Sequence, residues 1–263
     1  MKLPFCKYHG AGNDFILIDN RKGGIKLKSK QIQALCHRRF GVGADGLILL
    51  ESAQAPFQYY MAFYNSDGTE GTMCGNGGRC LVAFADKLGI TNHHFLAIDG
   101  EHNAFVLEKS GNNTLVKLQL GDVKEVLTYD ENSYIVQTGS PHLVRFVPDV
   151  QAIDVHTEGA YWRSHPDFGA KGVNVNFVEI LDQGCLYVRT FERGVEAETW
   201  ACGTGSVASA LAARVHTNSQ LVHWSIQTKG GNLQVDYIPE EKGFQKVFLT
   251  GGAVLVFTGH ADL

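Results

Sequence analysis

The sequence predicts an α/β (α+β) fold of two pseudo-symmetric domains, each a curved and mostly antiparallel sheet wrapped around a central buried helix, with the active site in the cleft between the domains. Three observations predict this fold. Glycine-containing blocks in the first half of the chain return in the same order in the second half. An almost wholly apolar helical segment follows one block in each half, and the rest has the pattern of short strands and turns.

The internal repeat comprises three pairs of blocks separated by nearly equal distances along the chain. One pair could arise by chance, because glycine-rich turns resemble each other, but three pairs in register indicate two homologous domains. The offsets are 127, 131 and 128 residues for Gly12–Phe15 with Gly139–His142, Gly41–Gly43 with Gly172–Asn174, and Glu70–Gly77 with Glu198–Gly205. We therefore expect an N-terminal domain over residues 1–120 and a homologous C-terminal domain over residues 121–263, whose extreme C-terminus is free to return to the first domain.

The secondary-structure elements follow in order along each half. Residues 29–39 have the spacing of an amphipathic helix with Ser29 as its N-cap, and a less obvious counterpart is expected in the second half. The buried helices are expected at Cys80–Ala85 and Val207–Ala213, which are apolar almost all round. Strands are expected at Gln58–Tyr64, Thr114–Leu120, Tyr187–Glu192 and Lys246–Leu249, and turns at Gly111–Asn113 and Gly230–Asn232.

Composition and charge argue against several classes of protein. With 44% hydrophobic and 19% charged residues, the chain can form real cores and does not have the composition of a disordered protein. The net charge of -4 provides no general attraction to nucleic acid or to anionic lipid, so neither is an expected partner. No apolar stretch in residues 1–10 is long enough for a signal peptide, and we expect a soluble cytoplasmic protein.

The six cysteines are too few for a disulfide scaffold in a chain of this size. No pair has the C-x-x-C spacing of a metal knuckle, so no metal site is expected. Cys6, Cys36, Cys80 and Cys185 are expected to pack as small buried hydrophobes.

Cys74 and Cys202 are different, because each precedes a Gly-x-Gly that begins a buried helix. A cysteine at this position lies at the positive end of the helix dipole, beside backbone N–H groups that have no partner within the helix. The thiolate is favoured there, and thiol pKa values fall from about 8.5 to between roughly 3.5 and 7.5. The same N–H groups bind anions, so a substrate carboxylate can dock beside either sulfur.

Two such cysteines facing each other across a cleft are suited to stereochemical inversion at carbon. One thiolate removes a proton from one face of the carbon, and the opposite thiol delivers a proton to the other face. The helix N-termini stabilise the carboxylate as it gains charge in the carbanionic transition state. No cofactor is then required, and none is expected.

Three motifs resemble those of the diaminopimelate epimerase family, and the resemblance covers nearly the whole chain. They are His9–Phe15, Met73–Cys80, and Glu192–Gly194 followed by Glu198–Gly205. The resemblance implies interconversion of LL- and meso-2,6-diaminopimelate, on the route to lysine and to the peptidoglycan crosslink. Diaminopimelate would be the small-molecule partner, and the resemblance leaves both a monomer and a homodimer open.

The resemblance also implies roles for individual residues. Cys74 and Cys202 match the two acid/base residues, and His142 and Glu192 match residues that tune them. The positions that match substrate-binding residues are Asn13, Asn65, Gly75, Asn76, Asn174, Glu192, Arg193, Gly203 and Thr204. Arginine suits this task because its guanidinium grips a carboxylate with two hydrogen bonds.

Two positions depart from the family pattern. Ser140 stands where many members of the family have asparagine, and Gly46 stands where they have glutamine. Both departures remove a side-chain amide that could touch the substrate, so distal contacts are expected through water or from other residues.

Other functions remain open from the residues alone. Gly41–Gly46 fits the dinucleotide fingerprint G-x-G-x-x-G, but a helix precedes it and a strand follows, which is the reverse of the required order. A cysteine hydrolase could use His142 or His9 as the base, yet it needs one cysteine and leaves the second unexplained. A proline racemase-like enzyme, or a non-catalytic protein that binds small anions, would also fit the two glycine-rich helix starts.

Overall fold

The computed structural model describes residues 2–262. The chain forms two compact units. The first contains the chain up to Leu118 and from Gly251 onward, and the second contains Gln119–Thr250.

Within residues 2–262, each unit consists mainly of strands, with two α-helices. In chain order the elements are β1 (Lys2–Gly10), β2 (Asn13–Asp19), α1 (Ser29–Cys36), β3 (Gly46–Glu51), β4 (Tyr60–Asn65), α2 (Gly75–Lys87), β5 (His93–Ala97), β6 (Gly100–Ser110), β7 (Asn113–Gln119), β8 (Val126–Asp130), β9 (Ser133–Gln137), β10 (Pro141–Phe146), α3 (Val155–Arg163), β11 (Asn174–Asp182), β12 (Cys185–Glu192), β13 (Ala197–Thr199), α4 (Gly203–His216), β14 (His223–Thr228), β15 (Gly231–Glu240) and β16 (Gly243–Asp262). A 3-10 turn at Pro166–Phe168 follows α3.

The first unit is a sheet closed into a ring. Strands β1 to β7 are hydrogen-bonded in sequence order, and the last part of β16 pairs with both β7 and β1. Among the described strands of this unit, β2–β3 and β4–β5 are the parallel neighbours. In the part of the chain described, every strand of this ring therefore has a neighbour on both sides.

The second unit repeats this topology. The order β9-β10-β11-β12-β14-β15 corresponds to β1-β2-β3-β4-β5-β6. The direction of each pair also corresponds, with parallel pairs at β10–β11 and β12–β14 and antiparallel pairs between them. Helices α1 and α3 occupy equivalent crossovers, as do α2 and α4. The prediction of two pseudo-symmetric, mostly antiparallel units is therefore confirmed.

A buried helix lies at the centre of each sheet, as predicted. Every residue of α2 from Gly75 to Ala85 is buried, and the helix packs against β1, β2, β3, β4 and β6. Helix α4 is buried from Gly203 to Ala213 except at Thr204, and it packs against seven strands of the second unit. A fully buried side chain such as Leu81 contributes about 2 kcal/mol of hydrophobic stabilisation, so these helices anchor their sheets.

Helix α1 is shorter than the sequence predicts. It begins with Ser29 inside the helix and Lys28 at the N-cap, where the Lys28 backbone N–H donates to Gln31 Oε1 at 2.9 Å. It ends at Cys36 rather than near residue 39. The physical reason is His37, whose Nδ1 accepts hydrogen bonds from the backbone N–H groups of Arg39 and Phe40, at 3.1 Å each, and so draws them out of the helical pattern.

The prediction that the remaining cysteines are buried holds for three of them. Cys6, Cys36 and Cys80 are buried, and burial raises the pKa of the Cys36 thiol to about 11. Cys185 is only half-buried, so its prediction is wrong. It begins β12 after an exposed turn, and its Sγ accepts a hydrogen bond from Gln227 Nε2 at 3.7 Å.

Within residues 2–262, no helix is both long enough and apolar enough to cross a membrane.

Candidate active site

Cys74 and Cys202 occupy the same position in the two units. Each is the N-cap of a buried helix and has an extended backbone, with φ and ψ of -103° and 125° at Cys74 and -107° and 114° at Cys202. The first helical hydrogen bonds are donated by Gly78 to the Cys74 carbonyl and by Ser206 to the Cys202 carbonyl, at 2.7 and 2.9 Å. The backbone N–H groups between each cysteine and this first donor lie ahead of the helical hydrogen bonds, so they are placed to bind an anion. The predicted helix position of both cysteines is confirmed.

Around Cys74, two asparagines form an ordered chain of hydrogen bonds. Asn13 Oδ1 accepts from Asn76 Nδ2 at 3.4 Å and lies 3.6 Å from Cys74 Sγ. Asn13 Nδ2 donates in turn to Asp45 Oδ2 at 2.7 Å. The carboxylate therefore sets the orientation of the Asn13 amide, because only the amide nitrogen can donate to it.

Behind Asp45 lies a cluster of charged side chains. Arg38 donates to both Asp14 and Asp45, at 2.8 and 2.5 Å, and Lys7 Nζ lies 2.7 Å from Asp14 Oδ2. Burial alone would raise the pKa of the Asp14 carboxyl. The hydrogen bonds from Arg38 and Lys7 outweigh that effect and hold this pKa well below its usual range.

Around Cys202, the central group is the fully buried His142. Asn176 determines which nitrogen of its ring carries the proton. Asn176 Nδ2 donates to the Leu143 carbonyl at 3.2 Å, and since a carbonyl can only accept, the amide nitrogen must lie on this side. Its second proton then points at His142 Nδ1, 3.0 Å away. The neutral ring consequently carries its proton on Nε2.

Two hydroxyl groups, of Ser140 and Thr204, lie within reach of the His142 Nε2–H, and that of Thr204 leads on to Cys202. Thr204 Oγ1 lies 3.0 Å from His142 Nε2 and 3.5 Å from Cys202 Sγ. A hydroxyl that accepts from the ring has its own proton left to donate to sulfur. Burial lowers the pKa of His142 to about 3, so the ring remains neutral near pH 7 and acts as a hydrogen-bond donor rather than a cation.

Ser140 and Asn174 complete this cluster. Asn174 Nδ2 donates to Ser140 Oγ at 3.1 Å, and Ser140 Oγ lies 3.0 Å from His142 Nε2. Asn174 Oδ1 accepts from the backbone N–H of Arg193 at 2.8 Å. Ser140, one of the two departures from the family pattern, thus contacts the imidazole directly.

Three predicted site residues lie at the edges of these clusters. Asn65 ends β4, is exposed and donates to Thr69 Oγ1 at 3.2 Å. Glu192 ends β12 and is half-buried. The Arg193 guanidinium donates long hydrogen bonds, of 3.5 and 3.4 Å, to the carbonyls of Lys171 and Gly172.

The groups beneath the two helix starts differ although the scaffolds match. The sheet registers align the two units residue by residue: Phe15 pairs with Gly46 as His142 pairs with Asn174, so His142 corresponds to Phe15, Asn174 to Gly46 and, two residues on, Asn176 to Ile48. A β-carbon at Gly46 would lie 2.6 Å from the Phe63 ring, so the Phe63 side chain fills the space that a longer residue would need. The strand residues beneath Cys202 are therefore polar, whereas their equivalents beneath the start of α2 are two apolar residues and a glycine.

Sequence reasoning missed Asn176, Asp45 and Arg79. Asn176 had a signal, because it lies two residues after Asn174 on a strand and so faces the same side of the sheet. Arg79 had one as well, since it is the one charged residue in the apolar segment from Gly75 to Ala85. Asp45 had none, because an aspartate in a glycine-rich turn is ordinary. In the part of the chain described, no group of three or more His, Cys, Asp or Glu side chains is placed to hold a metal ion.

Comparison with known proteins gives one family. The family model described as diaminopimelate epimerase matches residues 5–126 and 134–256. The chain is 46% identical to the diaminopimelate epimerase of Flavobacterium psychrophilum, over 97% of this chain and 98% of that protein. It is 42% identical to the diaminopimelate epimerase of Chlorobaculum tepidum, over 97% of this chain and 99% of that one.

Solved structures with the same fold are more distant in sequence. A PhzF-family phenazine biosynthesis protein from Bacillus anthracis matches with a TM-score of 0.76 at 13% identity, covering 100% of both chains. A probable proline racemase from Agrobacterium radiobacter matches with a TM-score of 0.72 at 16% identity, covering 99% of this chain and 93% of that one. At such low identity these likenesses establish the fold alone.

Proposed function

Because the chain belongs to the diaminopimelate epimerase family, we propose that it is a cofactor-independent isomerase that interconverts LL- and meso-2,6-diaminopimelate in lysine and peptidoglycan-precursor biosynthesis. The observation that carries this proposal is the duplicated arrangement of a cysteine at the N-cap of a buried helix. A single nucleophile or a simple binding site has no need of the second copy.

The reaction moves one proton off the α-carbon and another proton on. A thiolate at one cysteine takes the α-proton and becomes a thiol, and the thiol at the other cysteine gives its proton to the opposite face and becomes a thiolate. The reverse direction exchanges the two roles. The α-carboxylate binds at Gly75 and Asn76 and at Gly203 and Thr204, where helix N–H groups stabilise it as the carbanion forms.

The remaining site residues bind the rest of the substrate or adjust the cysteines. His142 acts on Cys202 through Thr204, and Glu192 has the corresponding role implied by the family. Arg193 grips the distal carboxylate, and its long hydrogen bonds to backbone carbonyls leave the guanidinium easy to redirect toward a ligand. Asn13, Asn65 and Asn174 hold the ammonium groups and the distal end of the substrate.

The setting of the enzyme also belongs to the proposal. We place it in the cytoplasm, acting on a small molecule without a nucleic-acid or membrane partner, either alone or as a homodimer. The net charge of -4 supports the absence of these two partners, because it provides no general attraction to nucleic acid or to an anionic membrane.

The test is hydrogen exchange at the substrate α-carbon in D2O, without added cofactor. Diaminopimelate should gain one solvent deuterium at an α-carbon in each turnover as the LL and meso forms equilibrate, and proline should gain none. Exchange of proline would indicate a proline racemase, and binding of diaminopimelate without exchange would indicate a binding protein. Cleavage of an amide or ester substrate would support a cysteine hydrolase.

A further inference from the structure

Arg79 is a buried cation without a carboxylate partner. Its side chain is 0% exposed, on the first turns of α2. Among residues 2–262, no Asp or Glu oxygen lies within 4.0 Å of its guanidinium, and its Nε atom has no hydrogen-bond partner. An unpaired charge in a protein interior is costly, so another group must offset it.

The contacts of Arg79 all lead to the start of the helix. Its Nη1 donates to the Gly75 carbonyl at 3.1 Å, and its Nη2 donates to Asn76 Oδ1 at 2.9 Å. Because Arg79 occupies the oxygen of the Asn76 amide, the amide nitrogen must turn toward Asn13 Oδ1. Arg79 at one end and Asp45 at the other therefore orient both asparagine amides beside Cys74.

The group able to offset the charge of Arg79 is Cys74. Burial lowers the pKa of the guanidinium, whereas the ionised forms of Cys80 and Cys74 would raise it. Cys80 is fully buried, and burial raises the pKa of its thiol so far that it stays protonated near neutral pH. Cys74 is half-exposed at the N-cap, where a thiolate is favoured.

Within residues 2–262, Cys80 and Cys74 are the ionisable groups that act on the guanidinium, and neighbouring groups on β1 and β2 do not replace them. Burial raises the pKa of Tyr8 and of Cys6 on β1, so both remain neutral near pH 7. Asp14 on β2 carries its charge but is already paired with Lys7 and Arg38.

We propose that Arg79 is a positioning residue of the reaction, whose fixed charge favours the thiolate of Cys74 and whose two hydrogen bonds hold Gly75 and Asn76 in the conformation that receives the substrate carboxylate. The role of Arg79 in catalysis rests on the proposed function, whereas its effect on the thiolate of Cys74 does not. The second unit has Val207 at the corresponding position and uses the neutral His142 instead. The two cysteines are thus adjusted by different means.

The test is the pH dependence of alkylation of Cys74 by iodoacetamide, without substrate, followed by mass spectrometry of the peptides. In Arg79→Met the midpoint should rise by about one pH unit, which lowers the rate below the midpoint about tenfold. Arg79→Lys keeps the charge and loses the planar fork, so its midpoint should stay near that of the wild type while the KM for diaminopimelate rises several-fold. Cys202 in the same samples is the internal reference and should not change.

Lys87→Met is the matched control, because it removes an exposed positive charge from the other end of the same helix and should leave the midpoint unchanged. A midpoint for Arg79→Met within about 0.3 unit of the wild type would overturn the proposal, as would an equal rise in Arg79→Lys. If Arg79→Met does not fold, as judged by circular dichroism, Arg79→Gln takes its place with the same expected rise. Since alkylation is measured without substrate, failure of the proposed function would not affect the midpoint of Cys74.

Discussion

Burial of the His142 imidazole connects the site of the second unit to the stability of that unit. The pKa of His142 is about 3 in the folded protein, against about 6.5 for an exposed histidine in the unfolded chain. Between these values the unfolded chain binds more protons, so stability falls as the pH drops from 6.5 toward 3. At pH 4.5 this one residue should cost about 2 to 3 kcal/mol of the stability present at neutral pH.

His142→Asn should therefore reduce stability at pH 7.5 but flatten its decline toward pH 4.5. The measurement is urea unfolding followed by tryptophan fluorescence, which reports on the second unit because the three tryptophans, Trp162, Trp200 and Trp224, all lie within it. Gln183→Asn, which changes an exposed side chain without a titratable group, is the control and should keep the wild-type slope. An unchanged slope in His142→Asn would mean that His142 is protonated in the folded state.

The two cysteines proposed as acid and base should each be indispensable. Cys74→Ala and Cys202→Ala should each lower the epimerisation rate in both directions by roughly 10³-fold or more, because inversion needs a base on one face and an acid on the other. Cys36→Ala, a change in the core at a side chain that is 3% exposed, should keep its turnover. The assay is circular dichroism of diaminopimelate, started from either epimer, with and without pyridoxal phosphate. Substantial turnover in either single mutant would contradict the two-base assignment.

At the scale of the secondary-structure elements, the two helix starts have unequal room for a methyl group. A β-carbon at Gly77 would touch the ends of Ile48 and Met61, at 3.1 and 3.4 Å, and such side chains can give way. A β-carbon at Gly205 would collide with Asn176 Oδ1, which is held by Thr190 and next to His142. Gly205 thus has no room for a side chain, because the polar cluster lies directly beneath it.

Gly205→Ala should consequently be the more damaging of the two changes. We expect a loss of about 1 to 3 kcal/mol of stability and a lower kcat, because Asn176 can no longer hold the His142 ring. Gly77→Ala is the matched control and should cost less than about 1 kcal/mol. Thermal unfolding and steady-state kinetics of both variants provide the comparison. Equal losses would show that packing around the helix, rather than the Asn176 contact, sets the requirement for glycine.

The sequence predicts elements well where one pattern dominates. The segments after Cys74 and Cys202 are apolar all round, and both are buried helices. The end of α1 was missed because it depends on the His37 imidazole, a side-chain interaction that the apolar spacing does not encode. Strand β16 was foreseen only at Lys246–Leu249, because a strand of 20 residues that belongs to both units has no local signature.

A site residue can be predicted from the sequence only where its residue type and its sequence neighbours indicate its chemistry. The two cysteines stand out through their glycine-rich context. Asn176 and Arg79 act through other side chains, and their importance depends on which atoms they face within the interior. A buried arginine and a buried asparagine break the apolar pattern, and that break is the general signal to look for.

At the scale of the whole molecule, duplication has preserved the backbone and changed the chemistry beneath it. Strand order, strand direction and the positions of all four helices repeat between the units. The side chains that support the two cysteines do not repeat. An epimerase needs equivalent helix starts on both sides of its substrate, whereas the two cysteines must hold different protonation states when each turnover begins.

The two-base mechanism makes one demand on the molecule as a whole. Both sulfurs must reach the same α-carbon from opposite faces, so in a working enzyme little more than that carbon and its hydrogen can separate them. When substrate is absent, a thiolate and a thiol at such a distance can be oxidised to a disulfide, provided that their Cα atoms come within about 7 Å. The two electrons and the one thiol proton would pass to an added oxidant such as diamide, which takes its second proton from water.

Oxidation of the substrate-free protein should therefore link Cys74 to Cys202. Activity should disappear and return with dithiothreitol, and diaminopimelate should protect by occupying the gap. Non-reducing peptide mapping is the measurement, and Cys202→Ala, in which the linked peptide cannot form, is the control. Cys36→Ala should form the link as the wild type does, because Cys36 is buried in the core. Reversible loss of activity with no peptide joining Cys74 to Cys202 would show that the two sulfurs do not meet at one carbon, and the two-base mechanism would have to be abandoned.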